Sequence, residues 1–250
     1  LFLEIYKGDE LIRTLRETSI KEQGVFRMYW GMDEKGPDRP SRRIRNSDRE
    51  PSGKEVLPGT YQLMLKYAGE EHTAEIEVEA DPRIQPDLEG LKTVYEAAGE
   101  IEHYTQLAAD MVKALVERKD LANQYSQQFK EVDQEQFESA IDSSKAIIKE
   151  IDGLVDLFLG KVDDRQGIVR SPKETIMSRI GRASSYIRSR PNGVTETEKM
   201  LMDQARTYLE DGMQQVNEFL MNEWKTYQTE MEAIEVKRTV EVPEFSLEKK

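Results

Sequence analysis

The amino-acid sequence predicts an α+β multidomain chain: a small immunoglobulin-like antiparallel β-sandwich followed by a long antiparallel helical bundle. Residues 1 to about 80 alternate apolar and polar positions with the two-residue period of strands. From Leu88 onward the apolar positions recur every three to four residues, the period of helices. Between the two rhythms lies Ala80-Asp81-Pro82-Arg83-Ile84-Gln85-Pro86-Asp87, whose prolines interrupt strand and helix alike and make a stiff joint. The division that follows is 1–81 as sandwich, 82–236 as a bundle of three or four helices, and 237–250 as an extended tail.

Within the β half, Leu1 to Tyr6 leads into the turn Lys7-Gly8-Asp9-Glu10, and Leu11 to Leu15 resumes. Val25 to Trp30 reads as a strand with Phe26, Met28 and Trp30 on one face. Val56-Leu57-Pro58-Gly59-Thr60 is a turn feeding a strand whose Tyr61, Leu63, Leu65 and Tyr67 face inward. A hairpin tip at Ala68-Gly69-Glu70 returns the chain with Ala74, Ile76 and Val78 inside and Thr73, Glu75, Glu77 and Glu79 outside. A slip of one residue would bury those glutamates, so the pairing is strongly specified.

The first helix runs from Leu88 to about Val132, with Leu88, Leu91, Tyr95, Ala98, Ile101, Thr105, Ala108, Val112 and Leu115 on one stripe. Phe137, Ile141, Ser144, Ile148, Ile151, Val155 and Phe158 alternate four and three apart, the seam of a coiled coil. The pattern breaks over Gly160 to Arg170 and restarts at Ser171-Pro172-Lys173-Glu174, a capping box with proline at the first helical position. The third helix carries Ile176, Ile180, Ala183 and Ile187, and Arg190-Pro191-Asn192-Gly193 ends it. Thr195-Glu196-Thr197-Glu198 is a second capping box, opening a helix whose apolar positions continue to Ile234. Two arrangements fit these lengths: three legs with the middle one interrupted near residues 160–171, or four antiparallel helices with a short third.

Composition removes several classes of function. Lys and Arg number 36 against 49 Asp and Glu, a formal charge of −13 that repels phosphate backbones and anionic lipid. No nucleic-acid partner is expected. No apolar run approaches the roughly 20 residues of a membrane span. The chain has no cysteine, so disulfides, thiolate catalysis and cysteine-ligated zinc are excluded. It opens on Leu1 inside an apolar segment, which reads as an excised piece of a longer protein.

No catalytic, cofactor-binding or metal-binding residue is assigned. Glu100-Ile101-Glu102-His103 holds one Glu-x-x-His, but di-iron bundles need two such motifs, and the only other histidine is His72 in the β half. The Gly-x-Ser-x-Gly elbow, the phosphate loop and the Gly-x-Gly-x-x-Gly turn are all missing from the sequence. Two clusters remain as interaction candidates. One is Arg42, Arg43 and Arg45 in the basic run Arg39 to Arg49, where arginine could meet an acidic surface or a sugar acid. The plainer reading is a loop solvated by its own Asp38, Asp48 and Glu50. The other is Asp163, Asp164 and Arg165 in the interhelix loop, where acids and arginines also serve to cap helix ends and pair with each other.

Val56-Leu57-Pro58-Gly59-Thr60-Tyr61 with Asp81-Pro82-Arg83 resembles the C-terminal region of large bacterial proteins with sortilin-like, BNR-repeat β-propellers, often labelled glycosyl hydrolases. Asp164-Arg165-Gln166-Gly167-Ile168-Val169-Arg170-Ser171-Pro172 and Ser184-Ser185-Tyr186-Ile187-Arg188-Ser189-Arg190-Pro191 are similar to segments of the helical region in the same proteins. Leu3-Glu4-Ile5-Tyr6 and Leu11-Ile12-Arg13-Thr14-Leu15 are similar to the immunoglobulin-like domain of flagellar hook-capping proteins. The Asp-box repeat of such propellers, Ser-x-Asp-x-Gly-x-x-Trp, is absent, so no catalytic residue carries over to this chain. The resemblance implies a non-catalytic C-terminal module of a larger periplasmic or secreted protein. Its expected partner is the N-terminal β-propeller of the same protein, with another protein, a glycan or a second copy as further partners. The competing reading is a carbohydrate-binding module serving a hydrolase in the N-terminal part.

Overall fold

The computed structural model describes residues 1–235 except 19, 21–23, 45–46, 85–86, 163–173 and 191. The chain is α+β, with a small antiparallel sheet first and the long helices after it. Strands β1 (Phe2–Lys7), β2 (Glu10–Arg16), β5 (Gly59–Tyr67) and β6 (Glu70–Val78) form a four-stranded sheet in the order β2-β1-β5-β6. Strands β3 (Asp33–Lys35) and β4 (Ser52–Glu55) make a separate two-stranded ribbon. Both hairpins of the sheet turn on residues with positive φ, Gly8 in one and Ala68 with Gly69 in the other. That mirror-image turn geometry matches the natural twist of paired strands.

The register places Ile5 opposite Leu63, Leu63 opposite Ala74, and Tyr61 opposite Ile76, so these share one face. A bulge between Ile5 and Tyr6 gives β2 an extra residue, and Ile12 and Arg13 are consequently buried side by side. Ile5, Ile12, Val56 and Tyr61 form the core, with Leu3, Leu15, Trp30, Leu63 and Val78 packed around it. The Tyr61 hydroxyl donates to the Leu57 carbonyl at 2.5 Å.

Two strand expectations change. The segment 25–30 forms no strand; its one firm anchor is Trp30, whose Nε1 donates to the Asp33 carbonyl at 2.8 Å while its ring meets Tyr61 edge-on. Ala74 and Ile76 are not buried either, because the second layer is only the narrow ribbon, which lies against β2. Every residue from Glu70 to Glu77 is exposed, and Ile76 keeps 39% of its surface in solvent.

Helix α1 (Leu88–Asp133) has 46 residues, about 69 Å at 1.5 Å each. Asp87 caps it, accepting from the Glu89 amide at 3.2 Å. Helices α2 (Glu138–Leu159) and α3 (Ile176–Arg188) lie end to end along α1, and α4 (Glu196–Phe219) returns. The helical stretch Leu220–Trp224 has π geometry and joins α4 to α5 (Lys225–Glu232) as one rod. The legs meet at Gly212, where an added Cβ would stand 2.4 Å from Ile176 Cδ1 and 3.4 Å from Phe158 Cζ. The end of α2 and the start of α3 thus share one point on α4, which is the three-legged arrangement with an interrupted middle leg.

The expected Ser171 capping box lies outside the described residues, except for Glu174. Helix α3 starts instead at Ile176, capped by Thr175 and Ser178 acting reciprocally. The capping box of Thr195 and Glu198 forms as read from the sequence. All four expected α3 seam residues, Ile176, Ile180, Ala183 and Ile187, are buried. Leu88 leaves the expected stripe and is exposed, while Gly90, two residues on, is the first buried position of α1. In the last rod Phe219 is buried and Leu220 only partly so.

Candidate interaction site

Gly36 and Gly53 build the ribbon. A Cβ on Gly36 would lie 2.3 Å from the Ser52 carbonyl oxygen, and one on Gly53 would lie 2.8 Å from that of Glu34. Only glycine lets the two backbones cross so closely. The crossing sets Glu34 and Lys54 side by side against α1. Lys54 and the Tyr95 hydroxyl both donate to the Glu34 carboxylate, and the Lys54 ammonium sits 4.4 Å from the centre of the Tyr95 ring. Burial and the Glu34 carboxylate raise the Tyr95 hydroxyl's pKa. Arg188 at the end of α3 reaches the Gly53 carbonyl at 3.5 Å. Glu102 lies in the same joint with its Oε1 buried and unbonded. Burial raises its pKa, and the positive charges of Lys54 and Arg188 oppose that rise.

The basic loop between β3 and β4 is tied down at several points. The Asp38 amide donates to Gln106 Oε1 at 2.9 Å on α1. Arg42 donates to Asp156 Oδ1 at 2.6 Å and to the Gly160 carbonyl, at the C-terminal end of α2. A guanidinium there satisfies a terminal carbonyl and complements the negative end of the helix dipole. Returning to the sheet, Asp48 pairs with Arg16 at 2.5 Å and Glu50 Oε2 accepts from the Thr14 amide at 2.7 Å. Buried Arg13 pairs with Asp33 at 3.7 Å and donates to the Pro51 carbonyl.

Between this loop and α1 lies an open cleft of about 690 Å³, walled by the basic Arg39, Arg43, Arg49 and Lys113 and by the acidic Asp38, Asp48 and Asp110. The guanidiniums of Arg39, Arg43 and Arg49 make no ion pair with a described residue. Of the six interaction candidates, Arg42 is therefore an internal staple, while Arg43 faces the cleft. Arg45, Asp163, Asp164 and Arg165 lie outside the described residues, as does the tail 237–250. The structure does not bring His72 and His103 together: one is exposed on β6 and the other on the outer side of α1. Among the described residues, no group of three or more His, Cys, Asp or Glu could hold a metal ion. No described helix is long and apolar enough to cross a membrane.

Nothing in the sequence shows that Glu34, Lys54, Tyr95, Glu102 and Arg188 meet, because they are scattered over most of the chain. The available signal was the glycine pair in an otherwise polar stretch, which marks close backbone approach. No family model, curated protein or solved structure matches the chain.

Proposed function

We propose that this chain is a non-catalytic structural and interaction module at the C-terminal end of a larger exported β-propeller protein, bracing the propeller or mediating association. The observation that carries the reading is the double attachment of sheet to bundle. The Glu34–Lys54–Tyr95 joint fixes the ribbon to α1, and Arg42 fixes the loop to α2. Such coupling suits an arm that presents one surface at a set orientation to another. Light scattering on a column-separated mixture of this chain with the propeller-bearing remainder of its parent tests it. A complex of the two is the expected outcome; a strict monomer that binds nothing overturns the proposal.

A second reading, a carbohydrate-binding module for acidic glycans, is favoured by Arg39, Arg43 and Arg49 around the cleft, which make no ion pair with a described residue. Binding to uronic-acid oligosaccharides that disappears in Arg43→Ala/Arg49→Ala supports it. Binding that survives both substitutions removes the cleft from that role.

A further inference from the structure

The sheet has two borders, and the protein treats them differently. The β2 border is crossed by the incoming loop: Glu50 takes up the outward amide of Thr14, and Arg13 and Arg16 tie that loop to the same strand. The β6 border is bare. Over its nine residues, no described group bonds the outward backbone N–H and C=O of β6. A row of unmet donors and acceptors of this length is a template for one more strand.

The side chains of β6 state which strand. Glu71, Thr73, Glu75 and Glu77 project on one face, with Glu79 continuing the row. Lys66 reaches Glu71 at 3.5 Å, whereas the carboxylates of Glu75, Glu77 and Glu79 have no ion-pair partner among the described residues. On the other face Ala74 and Ile76 stand exposed beside the partly covered Leu63 and Leu65. A second copy fits badly. In any antiparallel pairing of β6 with itself that keeps matching faces together, odd-numbered residues oppose odd-numbered ones. Glutamate then meets glutamate, for instance Glu71 against Glu77, which is destabilising.

We propose that β6 is a docking edge for an extended segment of a partner protein. That segment alternates Lys or Arg with aliphatic residues and adds to the sheet as a fifth strand. The basic side chains lie over the glutamate row and the aliphatic ones over Ala74 and Ile76, while backbone hydrogen bonds supply the pairing. The glutamates exclude self-association and select for opposite charge in the same arrangement. This assignment rests on the interaction-module reading and names the chemistry of its partner.

The test uses the full chain and a synthetic peptide of about nine residues alternating lysine with valine. Controls are a valine–glutamate peptide and a lysine–glycine peptide of equal charge. Fluorescence anisotropy at low salt is expected to show binding of the lysine–valine peptide alone, with hydrogen exchange slowed at alternate amides of β6. In Glu75→Lys/Glu77→Lys, checked for folding by circular dichroism, affinity for that peptide falls at least about tenfold and the glutamate peptide binds instead. No binding, equal binding of the lysine–glycine peptide, or binding without protection of β6 overturns the proposal. So does a dimer of the free chain paired through β6. If the peptide fails while the propeller still binds, the edge assignment falls and the module reading stands.

Discussion

Glu198 is fully buried yet charged, and its surroundings explain why. The Thr195 amide donates to its Oε2 at 2.9 Å, the Thr195 hydroxyl donates as well, and Arg190 Nε donates to its Oε1 at 2.9 Å. Bonding to Thr195 and Arg190 outweighs burial and brings its pKa from 4.5 down to about 2. Because the folded value is depressed, the stabilisation is present in full above about pH 4.5 and lost as pH falls towards 2. Glu198→Gln keeps a capping amide without the charge. Its acid unfolding curve, followed by circular dichroism, is expected to be flatter over that interval than the parent's. Ala68 is the opposite case, a residue at odds with its backbone: its φ of 52° is left-handed, and alanine has no side-chain bond to compensate. Ala68→Asn creates the Asn-Gly pair that this hairpin turn prefers and should add about 0.5–1 kcal/mol in thermal or denaturant unfolding.

Among the elements, the final rod shows why the period of a pattern matters more than its individual members. Buried positions run Met202, Ala205, Leu209, Gly212, Val216 and Phe219, spaced three and four, and then jump five to Trp224 before Tyr227 and Met231. The π-helical segment Leu220–Trp224 absorbs the additional residue and keeps both halves of the seam facing the core. Deleting exposed Met221 should convert the segment to ordinary α-helix with the seam intact. The deletion variant is expected to remain folded with parent-like helicity, whereas loss of cooperative unfolding would contradict this account. Glycines supply a matched pair of tests. A Cβ on Gly153 meets nothing within 4 Å, so Gly153→Ala should stabilise by about 1 kcal/mol through helix propensity. A Cβ on Gly90 would stand 2.5 Å from the Asn192 carbonyl oxygen, a backbone atom that cannot turn aside. Gly90→Ala should therefore destabilise by roughly 2 kcal/mol in denaturant unfolding.

The contrast between seam and ribbon also explains what was legible in the sequence. Helices α2 and α3 could be read residue by residue, since their burial depends on a repeating spacing that local sequence displays. Strands β3 and β4 could not, because Asp33–Lys35 and Ser52–Glu55 carry no apolar alternation and exist through the glycine crossing. The basic run was visible as composition. Its division into a stapled Arg42 and a cleft-facing Arg43 depends on Asp156, more than a hundred residues away. The alternation of β6 was visible as well, but burial of its apolar face required a second layer that the ribbon is too narrow to provide.

At the scale of the whole molecule, sheet and bundle are joined twice, by the Glu34–Lys54–Tyr95 joint and by the Arg42 staple. The Arg42–Asp156 pair is partly screened by solvent, so its removal should cost little global stability, about 1 kcal/mol or less. The local effect should be larger. In Arg42→Ala, hydrogen exchange is expected to accelerate in the last turn of α2 and along the loop, with the sheet core around Ile5 and Tyr61 unchanged. Uniform acceleration throughout the chain would instead mean that the staple supports the entire fold.

Polymeric fibres of stacked strands require every unit to offer two live ends. Here the loop held by Glu50 and the β2 arginines lies over one of them. The loop-covered border leaves β6 as the place where a strand can join, so a chain of this kind ends a run of strands instead of linking two of them.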